Sequence, residues 1–287
     1  MSGAGARLFV ALQWLLPHHA LGFLLRLASR CRWRSLAQPL MRGFVKAFGV
    51  KVDEADPPTV ADYACFDDFF TRALRPGARP VDPHPAALVS PVDGRLTQAG
   101  PVKAGQLIQA KGHSYSLVEL LGDDPRMADG LQGGLFLTCY LAPYNYHRIH
   151  MPLAGRVRRA VFCPGRLFSV NDATTAVLPR LFCRNERVVL EFETVAGPMA
   201  VVLVGALFVG SMSLAWQGMV GGRGRRPIEL SLPAGGVDLQ KGDELGRFHY
   251  GSTVIMVLPP GMLTVDEDVV PGIGLQMGRR LATVIGA

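Results

Sequence analysis

Near the C-terminus, Gly246-Arg247-Phe248-His249-Tyr250-Gly251-Ser252-Thr253-Val254-Ile255 sets a Gly-Ser pair between an aromatic segment and a β-branched run. Taken alone it reads as a tight turn entering a strand, because glycine supplies unusual dihedrals and Thr-Val-Ile favour extended backbone. Its serine becomes chemically special only if the chain supplies a base for the hydroxyl and a group that orients that base. Two stretches offer candidates. Tyr144-Asn-Tyr-His-Arg-Ile-His-Met-Pro152 carries His147 and His150, three residues apart. That spacing fits a helical turn facing one way or a loop presenting both rings, and histidine titrates near neutrality, as general acid/base work requires. An H-x-x-H pair is also half a metal site, but no H-E-x-x-H and no nearby carboxylate pattern completes it. Two partly buried histidines capping a turn before Pro152 is the plainer alternative. Ser90-Pro-Val-Asp-Gly94 carries Asp93. Asp-Gly is hairpin-turn chemistry between two strands, and Asp93 taken alone reads as that.

These residues need a scaffold. Short β-like runs recur at Gly105–Gln109, Leu135–Tyr140, Gly155–Phe162, Arg187–Glu193, Met199–Val209 and Thr253–Leu258, separated by turn signals. The pattern predicts an α+β chain with a β-rich core of short antiparallel strands, not a βαβ alternation. Phe66 to Arg72 reads as a short packing helix with an aromatic face. Asp53–Pro58 is a plausible linker and Pro80–Pro85 a loop. Gly221-Gly-Arg-Gly-Arg-Arg226 is a basic loop facing a phosphate, a lipid headgroup or only solvent, without a phosphate-binding fingerprint.

The 287 residues carry a formal net charge of +7, unevenly distributed. Eight basic residues precede the first acidic one, Asp53, leaving 22 basic against 23 acidic in the remainder. Basic arms bind nucleic acid or anionic membrane, and interleaving with large apolar side chains favours the membrane. The apolar runs Leu8–Leu16 and Ala20–Leu25 stop at Pro17 and Arg26, short of the ~20 residues that cross a bilayer. No small-residue cleavage site marks a signal peptide. Pro39 to Phe48 predicts a helix with Leu40, Met41, Phe44, Val45 and Phe48 on one face. Residues 1–55 are therefore expected to be amphipathic helices lying on an anionic leaflet, and residues 56–287 a catalytic domain. Five scattered cysteines without a C-x-x-C pair argue against a disulfide framework or zinc site.

Together these segments resemble the phosphatidylserine decarboxylases of the longer bacterial, membrane-associated type. The resemblance rests on Phe66–Pro80 (F-x-x-F-F-x-R-x-L-R-P-G-x-R-P), Ser90–Gly94, Ala110–Leu117, Tyr146–Pro152, Pro164–Asn171, Phe182–Arg187, Val204–Ala206, Gly246–Phe248 and Gly251-Ser252-Thr253, in order over about 190 residues. It implies a lyase made as a zymogen that cuts itself at Gly251-Ser252 into fragments 1–251 and 252–287. Ser252 becomes a covalent pyruvoyl group, so neither PLP nor a metal is expected. His150 is the implied base for Ser252 and Asp93 its partner, fixing its tautomer. The Ser252 hydroxyl attacks the Gly251 carbonyl, and the ester then eliminates to dehydroalanine, which hydrolyses to pyruvoyl and ammonia. The substrate amine forms a Schiff base with that group and carbon dioxide leaves, giving phosphatidylethanolamine in phospholipid biosynthesis. His147 is the candidate proton donor. The implied partners are phosphatidylserine in an anionic membrane and the two fragments in a heterodimer, compatible with a homodimer of that pair, with no nucleic acid. The implied location is peripheral, on the cytoplasmic side of the cell membrane. The chain departs from the family at Tyr250, where leucine is frequent.

Three rival readings remain. One is a pyruvoyl enzyme acting on another amino acid or phosphoserine lipid. Another is an ordinary serine hydrolase, against which the missing G-x-S-x-G elbow counts. The last is a non-catalytic membrane-binding module. Gly210-Ser211 is a competing Gly-Ser bond.

Overall fold

The structure, a computed structural model, describes residues 3–110, 112–207, 212–222, 224–249 and 252–286. Gly251, Tyr250 and the competing Gly210-Ser211 bond lie outside the described residues. Helices α1 (Gly3–Leu15), α2 (His18–Ser29), α3 (Arg34–Phe48) and the short α4 (Phe66–Phe70) lead into a body of strands. In chain order the strands that position the site are β1 (Gly94–Pro101), β2 (Leu135–Leu141), β3 (Arg148–His150), β4 (Gly155–Cys163), β5 (Arg187–Thr194), β6 (Gly197–Val204), β7 (Met212–Leu214), β8 (Glu244–Phe248) and β9 (Ser252–Leu258). The expected α+β architecture is present, and these strands pair antiparallel.

The main sheet runs β4-β5-β6-β9-β2-β1 through its middle. Strand β9 is buried at every one of its seven residues. Its Thr-Val-Ile-Met-Val-Leu run is apolar on both faces, as a strand covered on two sides requires, and it pairs with β6 on one edge and β2 on the other. A smaller sheet stacks β7, β8 and β3 in that order. Between β8 and β9 the chain crosses from the small sheet to the large one in three residues.

Asp93-Gly94 does not form the expected hairpin turn. Ala87–Val89 pairs with Arg280–Val284, whereas β1 pairs with β2, so the two residues connect different sheets. Gly94 is needed for close approach: a Cβ there would lie 2.2 Å from the Tyr140 carbonyl oxygen. Helix α3 begins at Arg34, earlier than the expected Pro39, which sits inside it. The Gln38 side-chain amide donates to the Tyr63 carbonyl at 3.2 Å and anchors these first turns. Met41, Tyr63, Phe66, Phe69 and Phe70 form a second, aromatic core beneath α3, the packing role expected for the Phe66 helix.

The second helix is inside out. The buried residues of α2 are His18, Gly22 and Ser29, while Phe23, Leu24 and Leu27 are more than half exposed. His18 donates from Nε2 to the Gln13 carbonyl at 2.7 Å and accepts the Leu167 N–H at 3.2 Å. Gln13 accepts the Ser169 N–H at 2.7 Å. Polar contacts help seat these helices, together with Ala6 and Val10 buried from α1, while large apolar side chains of both remain exposed. Burial lowers the His18 pKa, so the ring sits neutral in this network. Of the eighteen large apolar side chains exposed among the described residues, eleven belong to residues 8–48. No single described helix is long and apolar enough to cross a membrane; α1 and α2 together reach that length, with an 82° bend at their break.

Candidate active site

Ser252 opens β9 opposite Leu141, and Thr253 faces Tyr140 and Val204. The β1 residue after Gly94, Arg95, pairs with Tyr140 on the other side. The start of β9, the end of β2 and the start of β1 thus converge, and Asp93 lies one strand away from Ser252. The Ser252 hydroxyl is fully buried and has no hydrogen-bond partner among the described residues. A buried, unsatisfied hydroxyl costs about 1–3 kcal/mol, so its persistence points to use rather than stability.

His147 and His150 do not share a helical turn. His147 lies in irregular chain immediately before strand β3, and His150 ends that strand. The His147 ring is completely buried, 4.1 Å from the Phe70 ring. Its Nδ1 donates to the Asn145 carbonyl at 2.8 Å, which leaves Nε2 unprotonated and without a partner among the described residues. Burial, and then the Arg72 charge, push its pKa down to about 3 against the pull of the Asn145 bond. The Phe248 N–H donates to the His147 carbonyl at 3.0 Å, which ties this segment to the strand leading toward Ser252.

His150 is held at both nitrogens. Nδ1 donates to the Gly242 carbonyl at 2.8 Å, so Nε2 is the lone-pair nitrogen and accepts the Tyr146 hydroxyl at 2.9 Å. Burial lowers the His150 pKa, partly offset by the Gly242 bond and by the charges of Glu244 and Asp93. The expected tautomer-fixing role of Asp93 is therefore performed by Gly242. Asp93 instead accepts from Arg79 at 2.6–2.9 Å and from the Met277 N–H at 2.9 Å. Arg79 also holds Glu54 at 2.7 Å. Asp93 reaches His150 through its charge and through the backbone, since the His150 N–H donates to the Pro91 carbonyl at 2.8 Å. No hydrogen bond among the described residues joins Ser252 to either histidine. Asp93, His150 and Ser252 thus do not form a hydrogen-bonded triad in this structure.

Two cavities lie near these residues, one beside Leu141, the strand partner of Ser252, and one beside Asp93 and Tyr146. One, of about 330 Å³, is apolar and lies between the helices and the sheet, lined by Leu25, Leu40, Phe44, Phe70, Leu141 and Leu207. The other, of about 470 Å³, is lined by Lys51, Arg72, Arg79, Asp93, Asn145 and Tyr146. Arg72 is 4% exposed, and its Nε has no partner among the described residues. Its remaining bonds, to the Phe69 and Tyr144 carbonyls, are long at 3.5 Å. A buried cation this poorly satisfied is prepared for an anion. Arg72 and Arg79 were not singled out from the sequence, although both stand in the F-x-x-F-F-x-R-x-L-R-P-G-x-R-P stretch; their spacing alone carries no sign of burial.

Comparison with known proteins agrees with this geometry. A family model described as phosphatidylserine decarboxylase matches residues 66–283, and a second, described as PSD, matches residues 8–49. A phosphatidylserine decarboxylase proenzyme of Pseudomonas fluorescens is 46% identical over 278 residues, covering 96% of both chains. That of Pseudomonas entomophila is 47% identical over 96% of this chain and 98% of its own. That of Hahella chejuensis is 44% identical over 97% and 94%. The chain belongs to the phosphatidylserine decarboxylase family.

Proposed function

We propose that this protein decarboxylates phosphatidylserine to phosphatidylethanolamine after cutting its own backbone between Gly251 and Ser252. The observation that carries the reading is the Ser252 hydroxyl, buried and without a hydrogen-bond partner among the described residues, at the head of the central strand in a chain of this family. A partnerless Oγ suits a group that is to be converted, and the lone pair of His147 Nε2 is likewise unclaimed among the described residues. For cleavage, Ser252 Oγ adds to the Gly251 carbonyl while His150 Nε2 takes the hydroxyl proton, the Tyr146 hydroxyl having moved off that lone pair. The bond from Gly251 to the Ser252 nitrogen then gives way to an ester. Asp93, hydrogen-bonded to Arg79, stabilises through its charge the imidazolium that forms.

The pyruvoyl group made from Ser252 would serve as the electron sink for loss of carbon dioxide. The chain's own residues do the rest. Arg72 and Lys51 attract the anionic headgroup into the polar cavity. The apolar cavity accepts part of an acyl chain. His147 is the candidate donor of the proton that the α-carbon takes after carbon dioxide departs.

The fragments stay together as a heterodimer after the cut, because β9 remains paired on both edges. The exposed apolar faces of α1–α3, with their uncompensated basic residues, support a peripheral position on the cytoplasmic face of the cell membrane. The test is turnover of vesicle-borne phosphatidylserine, followed by phosphatidylethanolamine formation. Wild-type chain should convert it, and a Ser252→Ala chain should not. Equal conversion by both would overturn the reading.

A further inference from the structure

The segment entering the Gly251-Ser252 bond is gripped from outside the Asp93–His150–Ser252 neighbourhood. His249, 9% exposed, follows β8 directly, and its Nδ1 lies 2.8 Å from Asp67 Oδ1 on α4. Its Nε2 lies 3.3 Å from the Ser213 hydroxyl on β7. A carboxylate only accepts, so Nδ1 donates to Asp67, while the Ser213 hydroxyl lies within hydrogen-bond reach of Nε2. Asp67, 8% exposed, uses its second oxygen to accept from Arg30 Nε at 3.1 Å, at the C-terminal cap of α2. Burial would raise the Asp67 carboxyl, but the His249 and Arg30 contacts outweigh it and hold the group below its ordinary range. The ring is thus fixed by two elements, and through Asp67 by a third.

Covalent arithmetic gives this grip its consequence. Only Tyr250 and Gly251 separate His249 from Ser252. Ser252 is pinned by its pairing with Leu141, and Phe248 by its N–H bond to His147 and its pairing with Met212. At no more than ~3.6 Å per residue, so short a connection ties the reach of the Gly251 carbonyl to where His249 and Ser252 are held. Neither His249 nor Ser213 lines either of the two cavities at the site, so the pair does not face the substrate.

We propose that Asp67 and His249 form a positioning pair for self-cleavage, holding the residue-249 end of the connection so that the Gly251 carbonyl meets the Ser252 hydroxyl. The proposal rests on the reading of Gly251-Ser252 as the bond that breaks. The pair's task ends when that bond is cut, because residues 249 and 252 then belong to different fragments. Its effect therefore falls on maturation and much less on turnover.

The experiment follows conversion of the 287-residue precursor into two fragments, by gel and intact mass, in purified full-length chains. His249→Ala and Asp67→Ala should each slow conversion by about tenfold, the loss expected for a buried charge-assisted bond. The double variant should be no slower than either single one. His249→Asn keeps a donor near the position of Nδ1 and should recover most of the rate. His249→Gln, whose amide reaches instead toward Ser213, should not. In the fraction that has matured, decarboxylation per cleaved chain should fall far less than the conversion rate. Wild-type conversion rates in both alanine variants would overturn the pair, as would multiplicative slowing in the double variant or rescue by Gln rather than Asn. A wild-type chain that never splits would overturn the parent reading instead, and the pair with it.

Discussion

The two cavities flanking α4 and its exit have opposite chemistry. On one side Leu25, Leu40, Phe44 and Phe70 enclose an apolar space roofed by the N-terminal helices. On the other, Lys51, Arg72, Arg79 and Asp93 line a polar one. Phe70 belongs to the first and Arg72 to the second, two residues apart in the chain. The change from apolar to ionic lining thus falls at the exit of α4, within two residues of chain. Under the proposed function, an amphiphile with an anionic headgroup would match such a change. The contrast extends to the histidines. His147 lies dry beneath Phe70 with an unclaimed nitrogen, while His150 is satisfied at both.

Several substitutions would break or sharpen this contrast. Ser252→Ala should abolish splitting entirely, leaving one chain of full length on a denaturing gel. His150→Ala should also block splitting. His147→Ala should split normally yet lose decarboxylation by about 10²–10⁴-fold, the usual range for a lost general acid/base. Splitting blocked in the His147 variant but intact in the His150 variant would reverse the two roles.

Acid stability supplies a graded test of the dry side. The folded pKa of His147, about 3, lies below its unfolded value near 6.5. Between these values the unfolded chain binds the extra proton and the folded chain does not. Its contribution to stability is thus complete above pH 6.5, falls as pH drops toward 3, and levels off below. Denaturant titrations of His147→Asn against wild type should show a difference that changes across this window by a few kcal/mol. A constant difference would mean that the ring is not held neutral.

On the polar side, Arg72→Gln should raise KM for the lipid by about tenfold, from loss of a charge-assisted contact. It should also raise the His147 pKa, since Arg72 is one cause of its depression. The smallest effect belongs to the helices. Leu40 lines the apolar cavity and is 53% exposed. Leu40→Asp should weaken binding to anionic vesicles about three- to tenfold by co-sedimentation, with splitting unaffected.

Much of this was legible in the sequence. Runs such as Val254–Leu258 and Val188–Leu190 declare strands by composition, and β2, β4, β5 and β9 fall within a residue of expectation. Asp93-Gly94 misled because a two-residue hairpin turn and a crossing between sheets use the same residues, and the choice is made by distant partners. The partners of His150 were equally hidden. Gly242 is 92 residues away and offers only a backbone carbonyl. The outward apolar faces of α1 and α2 defied the ordinary rule because polar groups, His18 and Gln13, help dock them. The Asp67–His249 pair is 182 residues apart and has no local signature.

The central claim is that Ser252 is consumed, and intact mass spectrometry of the purified wild-type protein tests it most directly. The account predicts two chains, residues 1–251 and 252–287, with the smaller one blocked to Edman degradation by a pyruvoyl group. A single uncut chain that nevertheless decarboxylates phosphatidylserine would contradict it.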